Sequence, residues 1–130
     1  MIEPLAKKAD SRGTLVAFDI KDLVFEPKRF FYVKNVPKLE CRGNHAHFNT
    51  QQYLVCLKGK IEVTLFDGIS EKTFFLEENQ MIFVDKMIWD SQVYITGEEV
   101  LLSLCSTEYD PADYITDIAE FTKLKQNLQS

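Results

Sequence analysis

Histidine occurs twice in this 130-residue chain, at His45 and His47, inside the stretch CRGNHAHFNTQQYLVCLKGKIEV. Successive side chains of a β-strand point to opposite faces, so residues two apart share one face. His45 and His47 are therefore expected side by side, with Ala46 turned into the neighbouring layer, where a small side chain suits tight packing. Arg42-Gly43-Asn44 just upstream lets the backbone bend before the pair. An imidazole takes up and returns a proton near neutral pH, because its unperturbed pKa is about 6.5. Two of them on one face suit three uses: hydrogen bonding within a strand, metal ligation, or proton transfer at a carbon next to a ketone.

The surrounding chain reads as a succession of short strands rich in β-branched and aromatic residues: TLVAFDI, RFFYVKN, QQYLVCL, KIEVTLF, KTFFL, QMIFV, WDSQVYI and EVLLSLC. Turn chemistry separates them at Lys58-Gly59-Lys60, Phe66-Asp67-Gly68, Glu77-Glu78-Asn79 and Thr96-Gly97-Glu98. Strands at this spacing predict an all-β sandwich or barrel rather than alternating strand-helix units. After Tyr109-Asp110-Pro111, the segment ADYITDIAEFTKLKQ places Tyr114, Ile118, Phe121 and Leu124 at helical spacing, which predicts one short C-terminal helix capped by Asp110. No repeat or linker divides the chain, and one domain over 1–130 is expected.

His-x-His, four residues, a polar residue at Gln52, six more and then Gly59 resembles the first motif of the cupins, which are antiparallel β-barrels of the jelly-roll type. The motif's glycine six positions before the first histidine is Leu39 here, and the glutamate of metal-binding cupins is Gln52. The second cupin motif, laid over ENQMIFVDKMIWDSQ, puts Asp85 at its proline and Asp90 at its histidine. Two imidazoles, an amide and an aspartate make a poor zinc set and only a conceivable one for iron(II), which can use two histidines with a carboxylate. The expectation is a site without metal.

Beyond the pair, the pattern Asp10-Ser11-Arg12-Gly13, Arg29-Phe30-Phe31-Tyr32-Val33-Lys34-Asn35, Arg42-Gly43-Asn44-His45-Ala46-His47, Gln51-Gln52, Gly59, Asp67-Gly68, Ile88-Trp89 and Glu108-Tyr109-Asp110-Pro111-Ala112-Asp113-Tyr114-Ile115 strongly resembles the dTDP-sugar 3,4-ketoisomerases over nearly the whole chain. One departure is Phe48, where that family commonly has lysine. The resemblance implies conversion of dTDP-4-keto-6-deoxyglucose into a 3-keto-6-deoxyhexose through an enediol, with no cofactor, neither metal nor nicotinamide. The product would feed synthesis of 3-amino-3,6-dideoxyhexoses of bacterial surface glycans. It implies a homodimer whose subunits exchange β-structure, and catalytic roles for His45, His47 and Tyr32. Epimerisation beside the ketone and sugar binding without catalysis remain open alternatives.

A sugar diphosphate calls for fixed cations, and guanidinium forks match phosphate oxygens. The chain has only Arg12, Arg29 and Arg42, and all three are candidate substrate-binding residues, with Arg42 first because of its closeness to the histidines. Gln52 is a candidate for sugar hydroxyls, and Trp89, the sole tryptophan, for stacking on a base or sugar ring. A net charge of −5 without a basic tract argues against nucleic acid as a partner. No apolar run approaches the roughly 18 residues of a membrane span and Met1 leads into polar residues, so a cytoplasmic protein is expected. Cys41, Cys56 and Cys105 lack the paired spacing of a disulfide framework or zinc ribbon.

Overall fold

The computed structural model describes residues 1–129. Its strands are β1 (Ile2–Pro4), β2 (Ala6–Asp10), β3 (Gly13–Ala17), β4 (Arg29–Lys34), β5 (Cys41–His47), β6 (Gln52–Lys58), β7 (Lys60–Phe66), β8 (Glu71–Glu77), β9 (Gln80–Val84), β10 (Trp89–Tyr94), β11 (Val100–Cys105) and β12 (Tyr114–Ile115), followed by helix α1 (Ile118–Gln129). Two five-stranded antiparallel sheets, in the orders β1-β9-β6-β11-β4 and β12-β5-β10-β7-β8, make a cupin-like jelly roll, and β2 and β3 form a separate hairpin. The expected barrel is corrected in one respect: among the described residues the sheets are not hydrogen-bonded into a closed ring. The reason lies in the turns. β7 and β8 pair as the Asp-Gly signal at Asp67-Gly68 predicts, but the tight turns at Gly59, Glu78-Asn79 and Thr96-Gly97 carry the chain from one sheet to the other.

Alternation along the strands explains the layers. Leu54, Ile61, Val63, Leu76, Ile82, Tyr94 and Leu101 fill the space between the sheets. Each such aliphatic side chain is worth about 1.5–3 kcal/mol when buried. β6 is apolar on both faces because its outward Tyr53 and Val55 are covered in turn by Leu5, Leu23 and the half-buried Phe18 and Phe25. The Val24 amide donates to the Tyr53 hydroxyl at 3.1 Å and fixes that covering segment.

On the far side of the second sheet, Ala46, Trp89, Ile115 and Phe121 form a third cluster under α1, with the Trp89 and Phe121 rings 5.8 Å apart. Ala46 is fully buried there, as the alternation of His45, Ala46 and His47 predicts. The helix begins later than its apolar spacing suggested. Asp110 caps only a single 3-10 turn over Pro111–Asp113, Tyr114–Ile115 then pairs with β5, and Asp117 accepts from the Ala119 amide at 2.9 Å to start α1. Tyr-Ile-Thr is β-favouring sequence beside the open edge of β5, and sheet pairing wins over the helical period.

Candidate active site

β5 and β10 run side by side, and the register sets Asp90 opposite His45 and Gln92 opposite Arg42. Both strands turn alternate residues toward the first sheet. The result is a cleft of about 380 Å³ bordered by Arg29, Phe31, Arg42, His45, Gln52, Gln92 and Tyr114. That size suits a small ligand. Another opening of about 390 Å³, between Leu65, Phe74, Phe83 and Ile88, contains no imidazole.

The two histidine rings lie edge to face with centroids 4.9 Å apart. Tyr114 closes a triangle with them, its ring 5.1 Å from His45 and 4.6 Å from His47. β12 holds that tyrosine by pairing Tyr114 with His47 and Ile115 with Ala46. The neighbouring Asp113 is buried and accepts from the backbone amides of Asn49 and Thr50 at 2.8 and 3.2 Å, and from the Thr50 hydroxyl. A carboxylate satisfied by three donors welds the loop after β5 to the strand carrying Tyr114.

Environment separates the two imidazoles. His45 is half-buried, and its Nδ1 lies 3.2 Å from the Gly43 carbonyl oxygen, which can only accept. That contact assigns the hydrogen of a neutral ring to Nδ1 and leaves Nε2 as the lone pair. His47 is only 5% exposed, and burial, then the positive charge of His45, press its pKa down to about 4, with Arg29 acting in the same direction and Asp113 against it. His47 is thus a neutral imidazole at neutral pH.

Behind His45, the Asp90 carboxyl is fully buried, and burial raises its pKa while the His45 charge and the Gln92 amide pull the other way. Gln92 Nε2 donates to Asp90 Oδ1 at 2.8 Å, and the Tyr94 hydroxyl donates to Gln92 Oε1 at 3.0 Å. Gly43 is required here. Its φ is +83°, and a Cβ on it would stand 2.8 Å from Asp90 Oδ1.

The remaining sequence-predicted residues separate into two groups. Arg29, Arg42 and Gln52 reach the cleft. The Arg29 guanidinium lies over the rings of Phe31 and Tyr109, 4.8 and 5.0 Å from their centroids. Gln52 is buried, with its amide nitrogen 3.5 Å from Cys105 Sγ.

Trp89 and Arg12 sit elsewhere, and Tyr32 lines the cleft while staying largely exposed. Trp89 does not border the cleft, because its place in β10 is one residue from the inward Asp90, and it packs on Phe121 instead. Arg12 stands on the exposed β2–β3 hairpin, paired with Asp10 at 2.8 Å. Tyr32 is 59% exposed; it is in register with Leu102, which faces outward, whereas Phe31 and Val33 take the inward places opposite Ser103 and Leu101. Tyr32 nonetheless lines the cleft together with Phe31 and Val33. Among the described residues no three His, Cys, Asp or Glu side chains converge as a metal-ligand set.

The family profile described as "FdtA: WxcM-like, C-terminal" matches residues 1–126. This chain belongs to the FdtA-like family. It is 35% identical over 119 residues to the TDP-4-oxo-6-deoxy-alpha-D-glucose-3,4-oxoisomerase of Aneurinibacillus thermoaerophilus, covering 90% of this chain and 86% of that one. It is similar in structure to a 3,4-ketoisomerase from Helicobacter canadensis, with TM-score 0.90, 32% identity, and 97% and 96% of the two chains covered. It is similar also to a His-to-Asn variant of the 3,4-ketoisomerase QdtA from Thermoanaerobacterium thermosaccharolyticum in complex with TDP-4-keto-6-deoxyglucose, with TM-score 0.91, 28% identity, and 98% and 94% coverage.

Within the FdtA-like fold, sequence reasoning did not single out Tyr114, Asp113 or Gln92 as site residues. Periodicity makes Tyr114 a helix position, and the family-like pattern includes it without giving it a role. Its role at the site depends on a two-residue strand that no periodicity announces.

Proposed function

We propose that this sugar-nucleotide 3,4-ketoisomerase converts dTDP-4-keto-6-deoxyglucose into a dTDP-3-keto-6-deoxyhexose. The observation that carries the reading is the pair of imidazoles 4.9 Å apart, with His45 bordering a cleft that also presents Arg29 and Arg42 and His47 buried next to it. The two guanidinium groups supply the fixed positive charge a diphosphate needs.

The isomerisation requires a hydrogen to leave carbon 3 and arrive at carbon 4, and a proton to pass from the oxygen on carbon 3 to that on carbon 4. His47, neutral at working pH, has the free lone pair that a base starts with. His45 serves the oxygens, donating to the carbonyl oxygen as charge develops there. When His45 gives up its proton, the charge that weakens His47 disappears, and His47 becomes the stronger base as it is needed. The proton on His47 then returns to carbon 4 as His45 regains one from the oxygen on carbon 3. Carbon 3 ends as the ketone and nothing is consumed. Tyr114, against both rings, is the phenol placed to support this exchange, while Tyr32 lines the same cleft from β4.

The steps call for no redox partner and no metal, so chelation should leave the rate unchanged. The working form is a homodimer, for which the exposed hairpin and the exposed outer face of β4 are the support. The location is cytoplasmic, where activated sugar nucleotides are made; among the described residues no helix is long and apolar enough to cross a membrane.

Incubation with dTDP-4-keto-6-deoxyglucose in deuterated water, followed by proton NMR, tests the reading. The ketone should move from carbon 4 to carbon 3 with deuterium entering at carbon 4. A ketone that stays in place while carbon 3 or 5 inverts would make the protein an epimerase, and no deuterium entry would leave it a binding protein.

A further inference from the structure

Gln92 stands in the wall of the cleft that His45 borders, yet only 6% of its surface is exposed. A polar side chain so deeply placed needs partners, and this amide is held at both ends. The hydroxyl of the fully buried Tyr94 donates to Gln92 Oε1 at 3.0 Å, and Gln92 Nε2 donates to Asp90 Oδ1 at 2.8 Å. A phenol that donates and a carboxyl oxygen that accepts fix which end of the amide is oxygen and which is nitrogen. The nitrogen carries two hydrogens. One goes to Asp90, and the other has no acceptor among the described residues.

Strand geometry shows what that second hydrogen can reach. Asp90 is in register with His45 and Ser91 with Gly43, so Asn44 is an extra residue in β5, and Gly43 and Asn44 have φ of +83° and +59°. Such a bulge lets Arg42 border the same cleft as His45 although they are three residues apart. Gln92 is in register with Arg42, one inward position along β10 from Asp90, which is a step of about 7 Å. Gly43 leaves the amide room against the bend, since a Cβ there would stand 3.2 Å from Gln92 Nε2.

The sugar offers a match to that place. The histidines act on the oxygens of carbons 3 and 4, and the guanidinium groups take the diphosphate joined at carbon 1. One hydroxyl remains, on carbon 2, between the reacting carbon and the diphosphate. Gln92 has Arg42 across from it and His45 one step along.

We propose that Gln92 binds the carbon-2 hydroxyl of the sugar through its free N–H, with Tyr94 as the positioning residue that orients the amide. The inference rests on the isomerase reading for the identity of the sugar. A neutral amide holds carbon 2 without adding charge beside His45, so it fixes where carbon 3 stands and leaves the proton transfers to the imidazoles. It also makes the enzyme selective for 2-hydroxy over 2-deoxy sugars, because a site built to hydrogen-bond a hydroxyl rejects the analogue that lacks it.

The test compares dTDP-4-keto-6-deoxyglucose with its 2-deoxy analogue on the native protein and on Gln92→Met. Removing the hydroxyl also alters the intrinsic reactivity of carbon 3, so the quantity read is the ratio of kcat/KM values for the two sugars, compared between proteins. The ratio should shrink by about 10-fold in Gln92→Met. A general loosening of the fold would slow both sugars alike and leave the ratio as it was, which would overturn the proposal. Tyr94→Phe, which keeps Gln92 and removes its anchor, should shrink the ratio by a smaller factor and serves if Gln92→Met does not fold; an unchanged ratio there overturns the positioning role and, with Gln92→Met unfolded, the contact too. If the native protein leaves the ketone at carbon 4, the assigned reaction fails. Calorimetric affinities for the same two sugar nucleotides then read the contact by themselves, and an affinity ratio equal in native and variant protein would overturn it.

Discussion

At the scale of single residues, the site is a set of protonation states fixed by surroundings. His47 has an ordinary imidazole pKa of 6.5 in the unfolded chain and one of about 4 in the fold. Between those values the unfolded chain binds the extra proton and the native state does not, so acidification favours unfolding. From pH 7 to pH 5 this linkage should cost about 2 kcal/mol. Urea unfolding at the two values should show that loss in the native protein, and in His47→Asn a loss smaller by nearly that amount; equal losses would mean that His47 is not held neutral. The same residue scale separates the tyrosines. Tyr114→Phe should lower kcat by about 10- to 100-fold, because the phenol sits against both rings, and Tyr32→Phe should leave it within about twofold. Steady-state kinetics on both variants check this, and the reverse order would return the role to Tyr32.

At the scale of elements, what matters is that β5 is gripped from three sides: β10 along one edge, β12 along the other, and α1 behind Ala46. Gly43 makes the first contact possible. An alanine there would hold a left-handed backbone conformation that costs about 1–2 kcal/mol and would press on Asp90 Oδ1, with Asp90 and Gln92 displaced in turn. Gly43→Ala should therefore fold with a lower urea midpoint and lose kcat by 10-fold or more; wild-type stability and rate would show that the strand tolerates the shift. The sequence disclosed much of this. The strands, the shared face of His45 and His47, the burial of Ala46 and the hairpin at Asp67-Gly68 all follow from period-two alternation and turn chemistry. Trp89 and Tyr32 show where that reading stops. Each lies one residue out of phase with its inward neighbours Asp90 and Phe31, and phase is set by cross-strand register, which depends on residues far away in the chain. Tyr114 shows the converse, since its apolar spacing fits a helix and only the free edge of β5 decides otherwise.

At the scale of the whole molecule, the unusual feature is apolar surface left in the open on the first sheet. Phe30 and Tyr32 are 69% and 59% exposed on the outer face of β4, which is also an unpaired edge of its sheet. The β2–β3 hairpin is exposed along both strands except at the half-buried Val16, and a lone two-stranded hairpin is at best marginally stable in water. Both features are met at once if a second copy of the chain covers them, since a stable interface needs only about 800 Å² from each partner. It would also give Arg12 a use, because the hairpin that carries it away from its own cleft would then lie over a neighbouring subunit. Sedimentation of the native protein should return about twice the 15.1 kDa chain mass. Replacing both Phe30 and Tyr32 by lysine places like charges at the centre of that contact and should shift the population to single chains, with far-ultraviolet circular dichroism unchanged. A native protein that sediments as one chain at micromolar concentration would leave the hairpin without a partner and remove the exchange from the account.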